Sequence, residues 1–236
     1  MAVSLPFRVR AINSAINTLN GTSYVEIGVK AGSTFKYVQC RQKIGVDPVL
    51  TSWKLRLFLA MHRNCKFFNE TSDDFFRLHA SGSVGEIGID VAFIDGLHSY
   101  AQTVIDVQNV LRFLNTNGLI FMHDCNPENE LSAIPGASPE IVKEKSGGTL
   151  CAWNGDVWKT IVLLRSQPDL NVFVLNCDHG IGVVHRKSNQ APLSYTEADI
   201  ETMSYADLEK NRVELLNLKD PEYLETFLKE YPPGQN

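Results

Sequence analysis

Short apolar runs alternate with amphipathic stretches over the first half of the chain. The runs SYVEIGV (Ser23–Val29), KIGVDP (Lys43–Pro48), CKFFNE (Cys65–Glu70), IDVAFIDG (Ile89–Gly96) and GLIFMHDC (Gly118–Cys125) are rich in β-branched and aromatic residues and are bounded by Gly, Pro, Asp or Asn. That combination predicts five buried strands. Between them, TSWKLRLFLAMH and TSDDFFRLHA read as helices, the first capped by Thr51 or Ser52, the second by Ser72 or an adjacent residue. After the fourth run, Val104, Val107, Val110, Leu111 and Leu114 recur at spacings of three and four and mark one apolar helix face, which leaves Asp106 and Arg112 on a solvated one. Strands alternating with helices in this way imply right-handed crossovers and a parallel sheet.

The pattern changes after Cys125. Residues 126–152 are rich in Pro, Gly, Ser and Asn and read as a long loop, of the kind that covers a site. WNGDVWKTIVLLRSQ then reads as a helix, and LNVFVLNCDHGIGVVHRK as two antiparallel strands turning near Asp178–Gly180. The tail from Ser188 is polar and predicts two short helices, one beginning at Asp220-Pro221. The expected division is a main domain over residues 1–187 and a helical extension over 188–236.

Composition narrows the partners. The chain has 236 residues, a formal charge of −5 and 44% hydrophobic residues, sufficient for one large α/β domain. Its Lys and Arg residues are scattered rather than blocked, which argues against nucleic acid. Cys40, Cys65, Cys125, Cys151 and Cys177 form no metal-type or disulfide-type spacing and read as reduced thiols. No apolar run is long enough to span a membrane, and MAVSLPFRVRAINSAINTLN lacks the apolar core of a signal peptide, so a cytoplasmic location is expected.

Two features carry candidate chemistry. The first is EIGVKAGSTF, with Glu26, Gly28, Gly32 and Ser33. Two glycines rather than the three of a dinucleotide-binding turn still let a small ligand approach the backbone and the N-terminus of a following helix. Asp47 ends the second strand 19 residues after Gly28, where an acid can accept both hydroxyls of a ribose. The alternative for Asp47 is a strand-end residue starting a turn before Pro48.

The order VEIGVKAGSTF, IGVDP, TSDDFF, VAFIDGLHSY, LNTNGLIFMHDC resembles the class I S-adenosylmethionine-dependent methyltransferases, and within them a group of small O-methyltransferases that includes sugar and macrolide O-methyltransferases. The resemblance implies a Rossmann-like, doubly wound α/β sheet of seven strands in the order 3-2-1-4-5-7-6, with the last hairpin antiparallel. It further implies that Glu26, Gly28, Gly32 and Ser33 surround the methionine end of S-adenosylmethionine, that Asp47 binds its ribose, and that Ser72 and Asp73 lie near its adenine.

The second feature is the pair of strand ends at Asp95 and Asp124. Neighbouring strands lie ~4.8 Å apart, and ligands of such sheets bind outside the carboxyl ends of the strands. Two carboxylates converging there call for a proton or a cation between them, and oxygen ligands suit a hard ion such as Mg²⁺. His98, three residues after Asp95, is placed to take a proton from a substrate hydroxyl. The resemblance implies that division of labour, with an aspartate on the metal and the histidine three residues later as base. The alternative is that Asp95-Gly96 and His98 are ordinary turn residues. Strand alternation points His123 away from Asp124, while His62, His79, His179 and His185 read as surface or structural histidines and Trp153 and Trp158 as packing residues.

The expected activity is therefore metal-assisted O-methylation of a hydroxylated small molecule or glycan, with which a homo-oligomer is compatible. A non-catalytic S-adenosylmethionine-binding protein and a nicotinamide-dependent oxidoreductase are the alternatives.

Overall fold

A computed structural model of the chain describes residues 5–50, 52–136, 138–149 and 152–231. Thr51 and Cys151 lie outside them. In chain order the elements are α1 (Phe7–Leu19), β1 (Ser23–Ile27), β2 (Gln42–Val46), α2 (Trp53–Met61), β3 (Cys65–Phe68), α3 (Ser72–Leu78), α4 (Ala80–Ser83), β4 (Ile89–Ile94), α5 (Tyr100–Phe113), β5 (Leu114–Met122), α6 (Pro139–Lys145), α7 (Trp158–Arg165), β6 (Leu170–Leu175), β7 (Ile181–Arg186), α8 (Glu197–Thr202), α9 (Tyr205–Leu216), β8 (Leu218–Lys219) and α10 (Tyr223–Glu230). The strand order is β3-β2-β1-β4-β5-β7-β6-β8. The expected order of seven is present, and β8 adds an eighth strand.

Two compact units make up the chain. One runs through Gly96, resumes over Ile105–Phe121 and includes the chain from Leu224 onward; the other comprises Leu97–Val104 and Met122–Tyr223. In the first, β1 pairs in parallel with β2 and with β4, and all five of its residues are buried. Burial on both faces explains why SYVEI reads as a continuous run rather than an alternation. α1 buries Val9, Ile12, Ala15, Ile16 and Leu19 on one stripe. It ends where Asn20 turns left-handed and the Gly21 amide reaches back to the Ile16 carbonyl at 2.8 Å. Below β1, the Asp90 carboxylate accepts from the Thr22 and Ser23 amides and from Asn115 Nδ2.

In the second unit β6 and β7 form the antiparallel hairpin, paired from Leu170↔Arg186 to Leu175↔Ile181. β8 joins β6 in parallel. α7 is buried along its whole length and packs on β6, α8 and α9. Such a helix cannot show an amphipathic period.

Several details depart from the sequence reading. Residues 30–37 form successive turns, so no regular helix follows β1. Leu114 opens β5 instead of closing α5. The stretch after Cys125 contains α6, capped by Ser138, and is tied down by Tyr205 Oη on the Glu128 carbonyl and by Arg212 on Asn126 and the Pro127 carbonyl. The tail holds three helices and a strand rather than two helices, and α10 starts at Tyr223, one turn past Asp220. Asp106 is 1% exposed and accepts from Ser72 Oγ at 2.6 Å; it is no solvated residue. A helix-period argument cannot see a partner supplied by a loop 34 residues away.

Gly28 has φ +84°, and a Cβ there would fall 1.9 Å from the Asp95 carbonyl oxygen. Both objections are to backbone, which cannot swing aside. Gly28→Ala should therefore destabilise the protein by ~2 kcal/mol or more in urea denaturation, whereas Gly82→Ala, with nothing within 4 Å, should leave the midpoint unchanged or raise it.

Candidate active site

The glycine turn is built tightly. The Gly28 amide donates to the Val46 carbonyl at 2.9 Å, and Gly32, at φ +73°, packs against Leu55. Asp47 closes this turn: its Oδ2 accepts from the Lys30 amide at 2.7 Å and its Oδ1 from the Val49 amide at 2.8 Å. Each carboxylate oxygen can accept more than one bond, so these contacts orient the acid without exhausting it. Ser33 is exposed on the turn, and Asp73 on the first turn of α3. Ser72, beside it, is committed to Asp106, whose Oδ2 lies 3.4 Å from where a Cβ on Gly96 would stand.

Glu26 sits below the turn, 1% exposed. Tyr24 Oη donates to its Oε2 at 2.5 Å, and the Phe35 backbone also bonds it. Burial pushes its carboxyl up to about 8, against smaller lowering effects from Tyr24 and Lys43. Lys43 spends its ammonium on the Phe35 and Val38 carbonyls and lies over the rings of Phe35 and Phe58. A buried acid and a buried base thus brace the 30–38 segment from within.

A second group of candidate residues gathers in the second unit. His98 and Asp124 are both non-glycine residues in left-handed backbone, at φ +55° and +61°, a conformation that costs about 1–3 kcal/mol and collects at functional sites. His98 Nδ1 meets the Trp153 carbonyl at 2.9 Å, and its ring stacks on the Trp153 indole. A carbonyl only accepts, so Nδ1 carries the hydrogen and Nε2 is the nitrogen turned to the site. That Nε2 lies 3.3 Å from Asp124 Oδ2. Asp124, 4% exposed, also accepts from Asn154 Nδ2 on Oδ1 at 2.9 Å and meets His123 Nδ1 at Oδ2, again at 2.9 Å. His123 Nε2 faces Asp178 Oδ1 at 3.5 Å.

Asp95, three residues before His98 on the same turn, completes a group: Asp95, His98 and Asp124 each offer a ligand atom, all within 4.8 Å of one another. Adjacent ligands of an octahedral Mg²⁺ stand ~3 Å apart and opposite ones ~4 Å, so the donor set fits a hard divalent ion with small adjustment. A lone-pair nitrogen 3.3 Å from a carboxylate oxygen is repulsive unless a proton or cation lies between them. That observation favours a positive charge at this point.

His123 corrects the sequence reading. Alternation fails because β5 stops at Met122 and Asp124 is left-handed, which turns both side chains to the same region. The sequence reading assigned no contact to the WNGD segment, which precedes α7 instead of belonging to it. Trp153 holds His98, Asn154 holds Asp124, Gly155 at φ +63° packs against the His98 carbonyl, and Asp156 Oδ1 receives the Tyr100 amide. The Asn-Gly pair inside a supposed helix was the available signal. His179 brackets His123 in the hairpin turn, nearer the site than expected. His62 and His79 are exposed, whereas His185 is buried in β7 and lowered to about 4, chiefly by burial.

Residues 25–125 match the family model described as a methyltransferase domain. Among solved structures, a candidate caffeoyl-CoA O-methyltransferase from Staphylococcus aureus superposes with a TM-score of 0.58 at 16% identity, over 78% of this chain and 85% of that one. An O-methyltransferase from Bacillus cereus in complex with S-adenosylhomocysteine gives 0.56 at 12% identity over 78% and 82%. TomG of Streptomyces achromogenes, an O-methyltransferase of tomaymycin synthesis bound to S-adenosylmethionine, gives 0.56 at 12% over 79% and 82%. No curated protein matches the chain in sequence. These likenesses show a shared fold, and the match to a methyltransferase domain spans residues 25–125. Among the described residues no helix is long and apolar enough to cross a membrane.

Raised from 4.5 to about 8, Glu26 binds its proton more tightly folded than unfolded. Its contribution to stability is full below pH 4.5 and is lost as pH rises from there through 8. Urea titrations across this range should show a loss on the order of 4 kcal/mol, and Glu26→Gln should flatten that part of the profile.

Proposed function

We propose that the protein is an S-adenosylmethionine-dependent O-methyltransferase acting on a hydroxylated small molecule or glycan, assisted by a divalent ion such as Mg²⁺. The observation that carries the reading is the Asp95, His98, Asp124 cluster, with ligand atoms within 4.8 Å of one another, in a chain with a methyltransferase domain. The neighbours from Bacillus cereus and Streptomyces achromogenes, solved with S-adenosylhomocysteine and S-adenosylmethionine, support the cofactor. Gly28, Gly32 and Ser33 would line the methionine end, with Glu26 shaping the turn beneath, Asp47 on the ribose, and Ser72 and Asp73 beside the adenine.

Bound there, a divalent ion supplies a lowered pKa for the acceptor hydroxyl. Asp95 and Asp124 would hold it, Asn154 and His123 fixing the Asp124 carboxylate. His98 receives the hydroxyl proton on Nε2, since the Trp153 carbonyl occupies Nδ1. The WNGD segment and the glycine turn hold the reacting groups in place, and such placement supplies much of the rate of a displacement in which the acceptor oxygen bonds the methyl carbon as the sulfonium leaves. A second reading makes His98 a third ligand; the 3.3 Å approach to Asp124 favours it.

S-adenosylhomocysteine should raise the melting temperature, and Asp47→Ala should reduce that shift. A melt raised by NAD and not by S-adenosylhomocysteine would overturn the cofactor. In calorimetric Mg²⁺ titrations, Asp95→Asn and Asp124→Asn should abolish binding while the S-adenosylhomocysteine shift survives. His98→Ala should slow single-turnover methylation by roughly 10²–10⁴-fold with Mg²⁺ affinity kept if His98 is the base, and lowered if it is a ligand. Undiminished activity in excess EDTA would remove the ion.

A further inference from the structure

α2 is an unusual surface helix. Of its residues only Leu55 is buried. Trp53, Leu57 and Met61, four residues apart, are 68%, 51% and 65% exposed, and Val49 just before the helix is 55% exposed. At 100° per residue the three helix positions span about 80° of one face, opposite Leu55. Lys54 and Arg56 fall on either side of that stripe, both exposed, and the Lys54 ammonium stands 5.8 Å from the Trp53 ring. Arg63 and Lys66 follow, also exposed. Between Asp47 and Glu70 there are four cations and no acid, in a chain whose net charge is −5.

We infer that α2 is a membrane-docking element that seats Trp53, Leu57 and Met61 in the interface of an anionic lipid surface. An apolar stripe with a tryptophan, flanked by Lys and Arg, is the pattern of a helix lying in a membrane interface. A second copy of the chain is the poorer occupant, because a two-fold contact sets the same four cations against themselves. The overall negative charge confines attraction to this face and makes it sensitive to salt. The inference is independent of the metal and of the acceptor, and it would present the enzyme to acceptors held at a membrane.

The test is co-sedimentation of the full chain with vesicles of phosphatidylcholine alone and of phosphatidylcholine mixed with phosphatidylglycerol. Binding is expected to the mixed vesicles only, weakening as salt is raised. Lys54→Gln with Arg56→Gln should lower the partition coefficient roughly 30-fold, at about 1 kcal/mol per cation. Trp53→Ser with Leu57→Ser should lower it at least roughly tenfold. Because these side chains are exposed, both double variants should keep the circular dichroism and thermal melt of the wild type. Absence of wild-type binding to mixed vesicles, or equal binding by the variants, overturns the inference. So does a wild-type dimer in sedimentation velocity that Trp53→Ser with Leu57→Ser converts to monomer without vesicle binding, which would assign the face to self-association.

Discussion

Much of the site depends on one buried carboxylate. Asp124 is 4% exposed, and its two oxygens receive Asn154 on one side and His123 on the other, with His98 3.3 Å away. A carboxylate so removed from water is tolerable only where partners replace its hydration. The three partners come from three separate stretches of chain. One acid therefore fixes the turn before α5, the end of β5 and the WNGD segment relative to each other. The left-handed backbone at Asp124 and His98 is the strain this arrangement sustains.

The glycine turn rests on a comparable economy of contact. At Gly28 the backbone approaches the Asp95 carbonyl so closely that no side chain fits. Asp47 gathers two amides from the turn, and Glu26, Tyr24 and Lys43 support it from the interior. The segment 30–37 has no helix to stiffen it, so these side chains supply what regular hydrogen bonding does not. Asp106 plays a similar part for Ser72. Both clusters consist largely of groups that hold other groups still.

α2 follows a different rule. Leu55 alone anchors it to the interior, while its outer face combines exposed apolar and basic side chains. Packing does not require that face, whose composition suits contact with lipid.

The sequence by itself determined the architecture. Five apolar runs, the helices between them and the hairpin after Pro168 specify a largely parallel α/β sheet, because burial on both faces and right-handed crossovers leave few alternatives, while the strand order followed from the family resemblance. It named Asp95, His98 and Asp124 as candidates, since strand ends in such a sheet share an edge. It did not reveal that Asn154 and Trp153 hold Asp124 and His98, that His123 turns toward Asp124, or that Asp106 is buried beneath Ser72. Those are contacts between residues 30 to 55 positions apart, or consequences of left-handed backbone at a non-glycine residue. Periodicity describes how a segment faces the core and says nothing of which distant group completes a buried polar atom. That pairing is decided only when the chain has folded and each buried donor and acceptor must find a partner.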